Sequence, residues 1–261
     1  MIPNRLSAGQ QEAVLQTIAA EALEGWRPTD EHTADLVDLA LDRLNFNNYL
    51  AKYLVRARES NGPPRRKLIA RRRPYLVPGT TVLRNNFGLD DPAVLADLEF
   101  VCTAGRLVLL HLRPAPADPR ELHRAIFADV YSWAGELRIT DLRRGDSGFA
   151  PVDILEQRLA EIGRDTATLG TAEYTDTEFA YRLAQVYAHY NHTHPFRDGN
   201  GRTGTLLLHK LAARTGRRID LEQVTRSAWI EASRDCMPFR RDGVADHRPF
   251  LPIMNAVLVG R

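Results

Sequence analysis

The segment from His194 to Arg202, His-Pro-Phe-Arg-Asp-Gly-Asn-Gly-Arg, constrains this chain more than any other. Upstream of it Phe179, Leu183, Val186, Tyr187 and Tyr190 recur at helical spacing, so the segment leaves a helix rather than a strand. His194-Pro195 breaks that helix, because the residue before a proline avoids helical backbone. Read formally, Gly199 to Gly204 fits the dinucleotide pattern G-x-G-x-x-G, with Asp220 near the position of a ribose-binding acid. That fingerprint must follow a buried strand, and the helical context excludes it. His189, His192 and His194 have loose metal-ligand spacing, but a zinc site would leave the glycine-arginine turn unexplained. For His189 and His192 the expectation is polar residues near a helix end.

The residue types of the segment suit one task, holding a phosphate-bearing ligand beside a proton acceptor. His194 can take a proton from a hydroxyl, since imidazole titrates near working pH. Asp198 is a hard oxygen donor of the kind that binds Mg²⁺. Gly199 and Gly201 let backbone N–H groups approach an anion, and Arg202 falls in the first turn of the next helix, where the dipole favours negative charge.

With Phe196 at its third position, this nine-residue run resembles the active-site loop of Fic-domain proteins, most of which transfer AMP from ATP to a protein hydroxyl. The resemblance implies that His194 is the general base and that Asp198 holds Mg²⁺. It further implies that Gly199, Asn200, Gly201 and Arg202 cradle the α- and β-phosphates while Phe196 anchors the loop. The family's second arginine, three residues after the first, is Thr205 here. A charge-assisted contact to the γ-phosphate is therefore missing, and His209, one turn further on, is a candidate substitute. Leu122 to Arg138 resembles the helix and Trp-Ala-Gly turn before the family's flap. Ile139, Leu142, the Gly145 to Gly148 turn and Phe149 then read as a short hairpin. By resemblance this flap, with Leu142 and Phe149, pairs with an extended stretch of the target protein through backbone hydrogen bonds.

At the N-terminus, Ser7 with Gln10 makes a capping box, and Gly25 with Pro28 ends the helix. Near its end Ala20-Glu-Ala-Leu-Glu24-Gly25 resembles the inhibitory helix of Fic systems, Ser/Thr-x-x-x-Glu-Gly/Asn. There the glutamate projects into the nucleotide site and pairs with the second arginine. Glu24 and Gly25 match, whereas Ala20 and Thr205 both depart from the pattern. Residues 1–60 then form an antitoxin-like inhibitory helical module on the same chain, 61–73 a basic linker, and 74–261 the Fic domain. The expected fold is mostly α, a Fic-type helical bundle with a short β-hairpin flap plus the small N-terminal helical module. Helices are expected over 7–24, 30–58, 91–110, 119–131, 152–165, 176–191, 203–215 and 221–233, with Trp229 a candidate to stack on a base.

The basic run Arg65 to Arg73 invites a nucleic-acid partner, but Lys+Arg 35 against Asp+Glu 33 gives only +2. No aromatic residues interleave the arginines, so a tether or a contact for an acidic protein fits better. Two cysteines, Cys102 and Cys236, are too few for a disulfide framework and point to a reducing compartment. No long apolar run indicates a membrane span or export, so a cytoplasmic protein is expected. The functional expectation is a protein adenylyltransferase using ATP and Mg²⁺ on a Ser, Thr or Tyr hydroxyl of a target protein, restrained by Glu24. By resemblance to bacterial Fic toxins the targets include type II topoisomerase subunits, although no residue here selects them. The alternatives are a Fic-type transferase with a different phosphate-containing donor, and a weakly active nucleotide-binding module.

Overall fold

The structure is a computed structural model that describes residues 6–62, 73–145, 147–171 and 173–260. Contacts divide the chain into two units, the first Met1–Glu21, Trp26–Arg113 and Arg124–Ala134, the second Ala22–Gly25, Pro114–His123 and Gly135–Arg261. The division does not follow the expected boundary near residue 60, because the helix after the linker packs with the helices before it. The basic linker itself, apart from its ends, lies outside the described residues.

In the first unit, α1 (Ala8–Glu24) opens on the expected capping box. Ser7 N–H donates to Gln10 Oε1 at 2.9 Å, and Gln10 N–H to Ser7 Oγ at 3.3 Å. The single helix expected over 30–58 is two, α2 (Asp30–Ala40) and α3 (Phe46–Ser60). Asp42 takes φ 56°, a left-handed conformation that no helix interior accommodates. The Asn45 side chain then caps α3 by accepting from Asn48 N–H at 2.9 Å. This break lets α3 fold back on α2, where Lys52 and Arg56 reach Glu31 and Lys52 reaches Asp35. Both helices pack on α4 (Pro92–His111). There the Tyr49 hydroxyl, fully buried, donates to Val101 O at 2.8 Å.

The second unit is built around α7 (Asp176–Thr193), which packs against α6 (Leu155–Leu169), α8 (Asn200–Arg214) and α10 (Leu251–Val257). A capping box starts α7: Thr175 Oγ1 accepts from Glu178 N–H, and Glu178 Oε2 from Thr175 N–H. Phe179, Leu183, Val186, Tyr187 and Tyr190 are all buried, as their spacing predicts. Between α7 and α10 comes α9 (Arg226–Asp235), whose Trp229 is 3% exposed and meets Tyr187 and Phe250 edge-on. Trp229 is thus a core residue and no base-stacking surface. The hairpin β1 (Arg143–Arg144) and β2 (Ser147–Gly148) pairs Arg143 with Gly148 and Arg144 with Ser147. A second antiparallel pair, β3 (Arg218–Ile219) with β4 (Leu258–Val259), was not legible in the sequence. The short helix α5 (Pro119–Phe127) runs from the second unit into the first.

Candidate active site

The loop between α7 and α8 is closed by its own side chains. His194 caps α7 in a left-handed conformation, φ 45°, with its N–H donating to Tyr190 O at 2.9 Å. Such a backbone is costly for a residue other than glycine and persists only where its surroundings hold it. Proline at 195 then forbids further helix. Asn200 supplies the closure: its Nδ2 donates to Phe196 O and its Oδ1 accepts from Phe196 N–H, both at 2.9 Å. Gly199, at φ 76°, makes the turn into α8, which begins at Asn200, three residues earlier than expected. The first N–H groups of α8 therefore belong to Asn200, Gly201 and Arg202, the residues expected to cradle phosphate. Both polar atoms of the Asn200 side chain are taken up by the loop.

Phe196 is fully buried and stacks on the His123 ring at 3.9 Å. His123 also takes the Gly135 N–H on Nδ1 at 2.8 Å, which leaves Nε2–H to donate to Asp198 O at 3.0 Å. It thus holds the loop from below. The Asp198 carboxylate accepts from Gly199 N–H through Oδ1 at 2.7 Å, with Oδ2 available for a metal. Among the described residues no group of three or more His, Cys, Asp and Glu gathers as a metal site. One partly exposed carboxylate fits Mg²⁺, which keeps several waters and takes its remaining ligands from phosphates. It does not fit zinc. His189 lies 3.5 Å from Glu161 of α6, His192 is buried, and His194 faces the flap.

The His194 ring stacks on Phe149 at 3.7 Å, nearly parallel. Its Nδ1 lies 3.3 Å from Asn191 O, a contact that can only be a donation to the carbonyl. Nε2 is then the unprotonated nitrogen. Burial pushes the imidazole down to about 3, helped by Arg144, Arg138 and His192, and opposed by the hydrogen bond to Asn191. The His194 imidazole is therefore neutral near pH 7. Beside it Arg138, buried to 1% exposure, joins the flap to the loop. Its Nε donates to His194 O at 2.8 Å, its Nη1 to Thr140 O at 3.0 Å, and its N–H to Pro195 O at 2.9 Å. Phe149 was expected to face a docking target. Instead it is 4% exposed and turned to His194, with its N–H on Leu142 O at 3.1 Å. Leu142 is half-buried, and Arg143 and Arg144 carry the exposed edge.

Glu24, expected at the nucleotide site, lies beside Gly201 at the start of α8. A Cβ on Gly201 would lie 1.7 Å from Glu24 Oε1, so the carboxylate abuts the first turn of α8. Its negative charge also helps raise the Tyr187 and Tyr190 hydroxyls, which burial raises most. Thr205 is 1% exposed, and its hydroxyl donates back to Arg202 O at 2.9 Å. His209 is pushed down to about 3 by burial and the neighbouring Lys210. A neutral imidazole does not replace the missing guanidinium charge.

Sequence reasoning passed over Arg138, His123 and Asn191. His123 left a trace, a histidine on the same face of α5 as Leu122, Ile126 and Phe127. Arg138 and Asn191 act on backbone carbonyls and left none.

The geometry agrees with comparisons to known proteins. Residues 115–212 match the family model described as the Fic/DOC family. The probable protein adenylyltransferase Fic of Salmonella typhimurium is 30% identical over 166 residues, 62% of this chain and 83% of that one. The chain belongs to the Fic/DOC family. The N-terminal Fic domain of a Bartonella quintana cell filamentation protein, solved with bound ADP, is 25% identical. It superposes with a TM-score of 0.62 over 71% of this chain and 94% of that one. A Fic-domain signalling protein from Bacteroides thetaiotaomicron, 17% identical, covers 97% of this chain and 88% of its own with a TM-score of 0.59. Its likeness extends the shared fold through the N-terminal helices.

Proposed function

We propose that this protein is an adenylyltransferase that moves AMP from ATP to a hydroxyl side chain of a target protein. The observation that carries the reading is the His194 imidazole, its Nδ1 on Asn191 O and its ring set in the loop that opens the N-terminus of α8. The triphosphate lies against the N–H groups of Asn200, Gly201 and Arg202, where the first-turn amides and the helix dipole offset its charge. The target hydroxyl gives its proton to His194 Nε2 as its oxygen attacks the α-phosphorus. The new P–O bond forms as the bond to the bridging oxygen breaks, and pyrophosphate leaves. Asp198 would hold Mg²⁺, which when bound neutralises phosphate charge. Catalysis of this kind is positioning plus charge stabilisation, so a rigid loop is its main requirement.

Glu24 restrains the reaction in this reading, because a carboxylate against Gly201 competes with phosphate for the same amides. Cys102 and Cys236, both buried, suit a reducing cytoplasm, and no described helix is long and apolar enough to cross a membrane. Type II topoisomerase subunits are the targets we would offer first. Label transfer from α-³²P ATP with Mg²⁺ tests the reading. Glu24→Gly should label a target more strongly than wild type, and His194→Ala should abolish labelling while leaving the thermal transition in place. Labelling retained in His194→Ala would remove the histidine from the mechanism.

A second reading has its own observation. Thr205 is committed to Arg202 O and His209 is neutral, so nothing at these two positions grips a γ-phosphate. A donor with two phosphates in the same cradle would lose nothing by this. Competition of unlabelled diphosphate-linked donors against ATP separates the two.

A further inference from the structure

The loop of residues 237–246 is tied at both ends. Asp246 N–H donates to Cys236 O at 2.9 Å, which closes it, and Arg158 Nη2 holds Asp242 O and Gly243 O at 2.7 and 3.0 Å. Its root is held by Asn191, whose Nδ2 donates to Ser233 O at 2.9 Å and to Cys236 Sγ at 3.1 Å. The same Asn191 orients His194 through its carbonyl. From this loop Arg241 reaches across the flap. Its Nε donates to Phe149 O at 3.1 Å, and its Nη2 lies 2.9 Å from Asp141 Oδ2. The guanidinium holds the Asp141 carboxyl below its usual range. Between these two contacts the arginine passes over Gly148, where a Cβ would lie 2.6 Å from its Cδ and 2.7 Å from its Nε. Gly148 is thus the gap through which the clamp runs.

We propose that Arg241 is a positioning residue for the base: by gripping both arms of the flap across Gly148 it keeps the Phe149 ring stacked on His194. The inference deepens the adenylyltransferase reading and rests on it only for the catalytic meaning of His194. Arg138 joins the loop, through His194 O, to the base of both arms at Thr140 O and Ala150 O, whereas Arg241 ties Phe149 O and Asp141, nearer the hairpin, to a separate loop. Ala150 keeps its own ties, its N–H on His192 O and its carbonyl on Arg138, so without Arg241 the arm is released at Phe149 itself, the ring lifts, and the half-buried imidazole gains water. The charged and titratable groups around His194 are Arg144 of the flap, Arg138 at its root and His192 of α7. All three disfavour the imidazolium, and each is left in place by the variants below.

The test is the NMR titration of the His194 imidazole from pH 8 to 4, assigned by its loss in His194→Ala, alongside transfer kinetics. In wild type the ring should not titrate in this range. In Arg241→Ala the ring gains water, and its titration should rise by about one pH unit or more toward the ordinary value. Turnover should fall about tenfold with little change in the Michaelis constant for ATP, because the base and not the phosphate cradle is displaced. Gly148→Ala should reproduce both effects in the wild-type background and add nothing to Arg241→Ala, where its methyl group has room. Arg241→Lys, which can hold one of the two partners, should fall between. An unmoved His194 titration in folded Arg241→Ala overturns the proposal, as does a full additive effect of Gly148→Ala in that background. If wild type transfers no label at all, the adenylyltransferase reading fails while the titration still judges the clamp.

Discussion

Thr205 shows how much one side chain decides. It lies one helical turn after Gly201 on the same face of α8, and Glu24 meets that face at Gly201. An arginine placed there would project toward the phosphates and toward the Glu24 carboxylate alike. Thr205→Arg alone should therefore leave transfer low, because its charge pairs with Glu24. In a Glu24→Gly background the same substitution should raise transfer from ATP about tenfold, the worth of one hydrogen bond to a charged group. Steady-state labelling of the four combinations measures it, and equal rates with and without Thr205→Arg in the Glu24→Gly background would favour a donor lacking a γ-phosphate. The chemistry of the loop was legible at this scale because nine consecutive residues carry it. The residues that steady the loop were not, because Arg138, His123, Asn191 and Arg241 come from four places and act on main-chain atoms.

Among the elements, α7 carries the most weight, since it ends at His194 and packs on three other helices. Its capping box at Thr175 and Glu178 satisfies N–H groups that no intrahelical carbonyl can reach. Thr175→Ala should lower unfolding stability by about 1 kcal/mol, read from urea denaturation, and should leave the His194 end untouched some five turns away. Helix periodicity located most elements within a few residues, yet it ran α2 and α3 together. The apolar residues Leu36, Leu39, Ala40, Leu44 and Tyr49 continue the helical pattern through a break that depends on the conformation of Asp42. The start of α8 was misplaced for a related reason. Glycines at 199 and 201 read as loop, although only Gly199 uses its conformational freedom and Gly201 is helical, made small by the carboxylate beside it.

For the molecule as a whole, one buried and two half-buried histidines set the acid response. His192, His194 and His209 are held down to about 4, 3 and 3, chiefly by burial. Each binds a proton in the unfolded chain near pH 6.5 but not in the folded one. The stability they contribute is complete above pH 6.5 and is lost as pH falls toward their folded values. Glu31, lowered to about 2 mainly by Arg56, adds its loss only below the ordinary carboxylate range. Urea midpoints should thus fall between pH 6.5 and 5, and His209→Gln should flatten that fall; a midpoint constant across this interval would show the histidines charging freely in the native state. The double hydrogen bond between Asn200 and Phe196 has a different consequence at this scale. Because both partners belong to the loop itself, the turn is closed by the chain's own groups, and the entropy of arranging it is charged to folding. A ligand received at that turn would have little backbone left to order, so its affinity would depend on the groups that meet it there, the Glu24 carboxylate beside Gly201 among them.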